Sequence, residues 1–111
     1  MIEIRTYTLG STEALEQYAT VHWTRHITSL AQYGIATHHV WTEVDGDAPR
    51  LIAVVEYAEG SDPRAVTEQY MSSSEFRGDM AGFPMDQITS VTSVFAQPAA
   101  SDPAVLQPTT D

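Results

Sequence analysis

Apolar and polar side chains alternate through Ile2-Glu3-Ile4-Arg5-Thr6-Tyr7-Thr8-Leu9, and Gly10 stops the run. A period of two, rich in Ile, Thr and Tyr, predicts a strand. The period then lengthens: Leu15, Tyr18, Ala19, Trp23, Leu30 and Tyr33 fall on one helical arc. Ser11 or Thr12 suits the cap, and Glu13 and Glu16 lie in the first turns, where carboxylates favour the helix dipole. This helix should reach about Tyr33 and end at Gly34, a left-handed terminator. Residues 35–44 read as a second strand, Asp45-Gly46-Asp47-Ala48-Pro49 as a turn, and residues 50–58 as a third strand, making a hairpin. Ser61-Asp62-Pro63 starts a second helix that runs to about Met71. Ser72-Ser73-Ser74 interrupts it and re-caps a short helix over 75–80. Gly82-Phe83-Pro84 breaks the chain before a last strand over 86–96.

The order β-α-β-β-α-β with right-handed crossovers predicts an α+β, ferredoxin-like fold. Its four-stranded antiparallel sheet carries both helices on one face. With Ile2 and Ile4 facing the helices, Glu3, Arg5 and Tyr7 are expected on the opposite face. The third strand, Leu51-Ile52-Ala53-Val54-Val55-Glu56-Tyr57-Ala58, is apolar on both faces, and two helices can cover only one. A second copy of the sheet is the simplest cover for the other, so the chain is expected to form a homodimer. Residues 1–96 form the expected domain. Residues 97–111, dominated by Pro, Ala, Ser, Asp and Thr, are expected to be a disordered tail.

Several of these segments resemble a known family. Glu3-Ile4-Arg5-Thr6-Tyr7-Thr8-Leu9 resembles the ELRTYTL opening of the NIPSNAP family. Trp41-Thr42-Glu43, after Gly34, is similar to that family's GxW-T-E second strand, and Val55-Glu56-Tyr57 to its W-E-Y third strand. Ser74-Glu75-Phe76 stands where the family often has an acidic residue before Trp. The resemblance spans residues 1 to about 96 and implies the dimeric α/β-barrel superfamily. That superfamily includes cofactor-free antibiotic-biosynthesis monooxygenases, polyketide cyclases, muconolactone-type isomerases and haem proteins, and the fold alone does not choose among them.

Composition narrows the chemistry. The 111 residues contain no cysteine, which excludes thiol nucleophiles, disulfides and thiolate metal sites. All five cationic side chains are arginines, so there is no lysine Schiff base and no pyridoxal phosphate anchor. No GxGxxG or Walker-type loop is present. A formal charge of −10 opposes phosphate backbones and anionic lipid, so neither nucleic acid nor membrane is an expected partner. No apolar run approaches the ~20 residues of a membrane span. Met1-Ile2-Glu3-Ile4-Arg5 lacks the basic and apolar regions of a signal peptide, so a cytoplasmic protein is expected.

The four histidines, His22, His26, His38 and His39, all fall within one helix–strand unit. His22 and His26 lie about 40° apart on the helix, inside its apolar arc. Of the adjacent pair on the strand, one should face the helices and one the dimer side. Three imidazoles could then meet between helix and sheet. The competing reading is core histidines, each satisfied by a carbonyl. His-x3-His with a third histidine could also hold a metal, but that spacing is common by chance and no zincin carboxylate follows, so no metal is expected. Arg5 and Glu56 form a second, charged set, either orienting substrate or fixing the dimer register as a buried pair. Trp41 and Phe76 would wall or lid a pocket, or simply pack.

These features predict a cofactor-free enzyme that isomerises, cyclises or dehydrates a small apolar compound, such as a secondary metabolite, by histidine acid–base chemistry. His26 is the expected base, with His22 and His38 as acid or orienting partners. Tyr18, His39, Trp41, Arg5, Glu56 and Phe76 are expected to contact the substrate. A non-catalytic binding protein and a cofactor-free monooxygenase are the alternatives.

Overall fold

The computed structural model describes residues 1–106. Strand β1 (Ile2–Leu9) leads into helix α1 (Thr12–Gln17), a π-helical turn over Tyr18–His22, and helix α2 (Trp23–Gln32). The Ser11 hydroxyl accepts the Ala14 N–H at 3.0 Å, which caps α1. Gly34, with φ of 77°, ends the helical stretch and lets the chain turn directly into β2 (Ile35–Thr42). β3 (Arg50–Tyr57) completes the hairpin. Asp62 caps α3 (Pro63–Met71), and Ser73 caps α4 (Ser74–Asp79). A short 3-10 turn, Met85–Gln87, precedes β4 (Ile88–Ala96), and α5 (Pro103–Leu106) is a single turn with Val105 and Leu106 exposed. The part of the expected tail over 107–111 lies outside the described residues.

All strand pairs are antiparallel, and the sheet order is β2-β3-β1-β4, the ferredoxin-like arrangement expected from the element order. One face of the sheet is covered by helices. From β3 it presents Leu51, Ala53, Val55 and Tyr57, which pack with Leu9, Trp23, Leu30, Ile35, Met80 and Phe83 as the core.

The structure reverses the expected orientation of β1. Glu3, Arg5 and Leu9 are buried beneath the helices with Tyr7 beside them, while Ile2, Ile4, Thr6 and Thr8 lie on the open face. Each face of this strand is half apolar, so alternation within it cannot choose. The neighbouring strand chooses, because residues paired across an antiparallel ladder share a face. Arg5 pairs with Ala53 and Tyr7 with Leu51, both fully buried on the helix side. The buried charges are tolerated because they satisfy one another.

A second departure lies in β2. The register with β3 shifts between Thr37 and His39, a β-bulge that turns two consecutive residues to the same side. His39 pairs with Val54 on the open face, and His38 reaches Glu56 on that same face. Neither histidine faces the helices, contrary to strict alternation.

The long helix also departs from regular α geometry. The Trp23 N–H bonds to the Tyr18 carbonyl, five residues back. Thr20 and Thr24 hydroxyls bond back to the carbonyls of Glu16 and Thr20, each at 2.7 Å, which competes with the regular ladder. The inserted residue shifts the helical phase. Tyr18, His22, Trp23, His26, Ser29 and Leu30 are consequently all buried.

Candidate functional site

A cavity of about 300 Å³ lies between the sheet and the helices. Arg5 and Tyr7 of β1 floor it, Tyr18, Trp23, His26 and Leu30 come from the long helix, and Tyr70, Phe76 and Met80 close the far side. Met71, Met85 and Val91, each about half exposed, line it towards solvent. The walls are mostly apolar, with a few convergent polar groups, as in small-molecule sites.

The long helix places His26 on this wall, and two short helices supply the groups that hold it. His26 Nδ1 donates to the Tyr70 hydroxyl, which donates to Asp79 Oδ2 at 2.5 Å. Ser29 donates to the other carboxylate oxygen, Oδ1, at 3.0 Å. The chain of bonds fixes the ring and its tautomer, leaving the Nε2 lone pair without a partner among the described residues. Among the described residues two buried side-chain polar atoms are sealed off without a partner, Trp23 Nε1 and Thr37 Oγ1. His26 Nε2 is not one of them, and His26 is among the residues that line the cavity. Burial pushes the His26 imidazole down to about 4, against the opposing pull of Asp79 and with further lowering from His22 and Arg5. The ring is therefore neutral at physiological pH. Burial and the bond to the Asp79 carboxylate both raise Tyr70, which keeps its proton.

The second polar group is built on the sheet. Arg5 Nε donates to Glu3 Oε1 at 2.8 Å, and Nη2 donates to the Tyr57 hydroxyl at 2.8 Å. Tyr57 donates in turn to Glu3 Oε1 at 2.5 Å and receives the Thr67 hydroxyl at 2.9 Å. Burial would raise the Glu3 carboxyl, but bonds from Tyr57, Ser93 and Arg5 outweigh it and hold it below its usual range. Burial would likewise lower Arg5, while Tyr7, Tyr57 and Glu3 keep it above its ordinary value. Both partners are thus ionised. Burial raises Tyr18 as well, next to Tyr7, so that hydroxyl also stays protonated.

Of the residues singled out from sequence, His26, Tyr18, Arg5 and Phe76 meet at this cavity. His22 is buried but turned to the end of α4, where Nδ1 meets the Asp79 carbonyl at 2.8 Å and Nε2 meets Gln17. His38, His39, Trp41 and Glu56 stand on the open face of the sheet. There His38 Nε2 meets Glu56 Oε1 at 2.7 Å, and His39 stacks on Trp41 with ring centroids 4.7 Å apart. The anticipated pairing of Arg5 with Glu56 does not form: they lie on opposite faces, and Glu3 takes the arginine. Among the described residues no three His, Asp or Glu side chains are grouped to hold a metal ion. Nor is any helix there long and apolar enough to cross a membrane.

Sequence reasoning passed over Tyr70 and Asp79. Asp79 carried a signal: a carboxylate in the last turn of a helix opposes the dipole and needs another reason to be there. Tyr70 carried a weaker one, four residues after Val66 on the inner face of α3.

The family model described as NIPSNAP matches residues 2–103. No curated protein matches the sequence significantly. A solved NIPSNAP domain protein from Burkholderia xenovorans superposes with a TM-score of 0.71 at 19% identity, covering 90% of this chain and 95% of its own. A protein from Agrobacterium tumefaciens gives 0.73 at 18% identity, with 92% and 96% covered. An antibiotic biosynthesis monooxygenase gives 0.55 at 13%, with 89% and 99% covered. At these identities the likeness extends to the fold alone.

Proposed function

The chain belongs to the NIPSNAP family, and on that premise we propose that it is a cytoplasmic, cofactor-free enzyme that moves a proton on a small, largely apolar molecule bound between sheet and helices. The observation that carries this reading is His26. Its Nδ1 is committed to Tyr70 and Asp79, and its Nε2 lone pair is left at the wall of the cavity. A neutral imidazole, oriented on one nitrogen and open on the other, is poised to accept a proton. Asp79 Oδ2 stands 3.5 Å from Nδ1 and would stabilise the imidazolium that forms. Tyr70 and Asp79 are positioning residues, and His26 is the catalytic base. A plain binding protein has no need of this preparation.

The same reading includes a homodimer. The open face carries Ile2, Ile4, Ile52, Val54, Trp41 and Val94, and among the described residues no helix covers it. A second copy of that sheet would bury it.

Hydrogen–deuterium exchange at the acidic carbon of 2-tetralone and related bicyclic ketones in D2O, followed by proton NMR, tests the chemistry. The protein should accelerate exchange, and His26→Gln should reduce that acceleration by ~10²–10⁴-fold while leaving the fold unchanged. Exchange at the background rate across the panel, or full acceleration by His26→Gln, would overturn the assignment. Oxygen uptake with an electron-rich phenol, in place of exchange, would move it to oxygenation.

A further inference from the structure

We propose that Arg5 Nη1 is the oxyanion-binding group of this cavity, and that the molecule it takes is a cyclic, mostly hydrocarbon ketone or β-dicarbonyl compound processed through its enolate. This deepens the reading of His26 as base and rests on it.

The guanidinium is held by two of its three nitrogens, Nε on Glu3 and Nη2 on Tyr57, so its plane and position are set. Nη1 has no partner among the described residues, yet it is not sealed off. Arg5 itself is 92% buried and lines the cavity, so the cavity is where Nη1 keeps its access. A donor on a charged, immobile group in an apolar enclosure is what stabilises an oxygen that becomes negative during reaction.

Charge balance selects the ligand class. Among the described lining residues Arg5 is the one cation, and none is a carboxylate. Glu3 already neutralises Arg5 from its other edge, so the resting cavity carries no net charge. A phosphate would find no second cation, and a carboxylate would bring a second charged oxygen that the single free guanidinium nitrogen does not meet. A neutral ketone enters without that penalty. On reaction the α-carbon–hydrogen bond breaks and its proton goes to His26 Nε2. The bonding pair becomes a carbon–carbon double bond while the carbonyl π pair moves to oxygen. That oxygen accepts the Arg5 Nη1–H bond. Imidazolium and enolate are created together, so the net charge of the cavity does not change. Return of the proton to the same or a conjugated carbon regenerates the neutral base and completes an exchange or an isomerisation.

The low basicity of His26 fits this partnership. A weak base removes a carbon-bound proton at a useful rate only where the resulting enolate is strongly stabilised, which is the part assigned to Arg5. The remaining wall, from Trp23, Leu30, Phe76 and Met80, matches rings rather than polar chains. Its ~300 Å³ is at the small end of ligand sites, suited to one or two rings.

4-Nitrophenolate is a planar ring bearing one oxyanion and mimics the enolate, while 4-nitroanisole is its neutral counterpart. The wild-type protein should bind the phenolate at least about tenfold tighter than the anisole, the worth of a charge-assisted hydrogen bond, and should lower the ionisation point of the bound phenol. The paired change Glu3→Gln/Arg5→Gln leaves no lone buried charge. It should erase that preference while binding 4-nitroanisole as before. If the double variant fails to fold, arginine-selective 15N spectra of the wild type give the same answer, because one guanidinium alone should shift with 4-nitrophenolate. Equal binding of phenolate and anisole, a preference that survives the double change, or no guanidinium shift would overturn the proposal. Benzoate binding tighter than the phenolate would overturn the ligand class. The two readings fail separately. Phenolate binding should be intact in His26→Gln, and an Arg5-dependent preference alongside unaltered ketone exchange in His26→Gln would remove the base assignment but leave the oxyanion group standing.

Discussion

A histidine–carboxylate pair stands on each side of the sheet, one on its open face and one on the helices that cover the other, and the closer pair is the less consequential. On the open face, His38 and Glu56 meet at 2.7 Å with side chains 44% and 47% exposed. Within the helical layer, His26 and Asp79 stand 3.5 Å apart with side chains 4% and 10% exposed. Water screens the first pair, so its short distance brings little net stability. Burial leaves the second to internal partners, and Tyr70 and Ser29 supply them. The environment of a charge, rather than the distance to its neighbour, decides whether it can be tuned for chemistry.

The sharpest break in this comparison comes from removing one carboxylate on each side. Asp79→Ala leaves the Tyr70 and Ser29 hydroxyls and the His26 ring without their acceptor, and should lower stability by about 3–5 kcal/mol in urea denaturation. A loss below 1 kcal/mol would mean that the buried chain of bonds is not formed in solution.

A pH series separates the faces next. His26 falls from its ordinary 6.5 to about 4 in the folded protein, so between those values the unfolded chain binds the proton and the folded chain does not. Acid therefore favours unfolding in that window, and stability should rise with pH from about 4 to 6.5, then level off. The change is on the order of 3 kcal/mol for a shift of this size. His26→Phe should flatten the window in denaturation curves taken across pH, and a wild-type profile already flat there would count against a buried neutral ring. Below that window Glu3 adds a loss of the same sign. Its carboxyl is held low in the fold, so its contribution disappears as acid protonates it.

Ile52→Glu addresses the open face. If a second copy covers it, a carboxylate at this position should weaken self-association by about 100-fold or more, roughly 2.7 kcal/mol, in sedimentation equilibrium. A wild-type chain that sediments as a monomer at micromolar concentration would refute the dimer. The smallest effect belongs to Glu56→Ala, made in the Ile52→Glu background. Losing the bond to His38 should cost about 1 kcal/mol or less by thermal melting. A cost near that of Asp79→Ala would erase the contrast between the faces.

The periodicities of the chain and its caps carried the element order, and with it the ferredoxin-like sheet. These depend on interactions within a few residues: Ser11 and Asp62 bond the next turn, and Gly34 supplies its own left-handed φ. The helical arc also carried the burial of His26 and Tyr18, because side chains three and four apart share a face whatever they pack against. Local pattern could not say which side of β1 goes inward. Both alternating sets are half apolar, and the choice falls to β3, some 50 residues away in sequence. Nor could it foresee the bulge that sends His38 and His39 to the same face, or the π turn that buries His22 with its back to the cavity. Each is an insertion of a single residue into a regular ladder, and only the neighbouring strand or helix gives that insertion its position. The site itself is more dependent still on distant contacts. His26 meets Tyr70 and Asp79 from 44 and more residues away, and Arg5 meets Tyr57 across 52. Sequence determined which groups could ionise and which helix would carry His26. Tertiary packing decided which of them lost water and which partner each obtained, because desolvation is a property of the closed core and not of any segment that enters it.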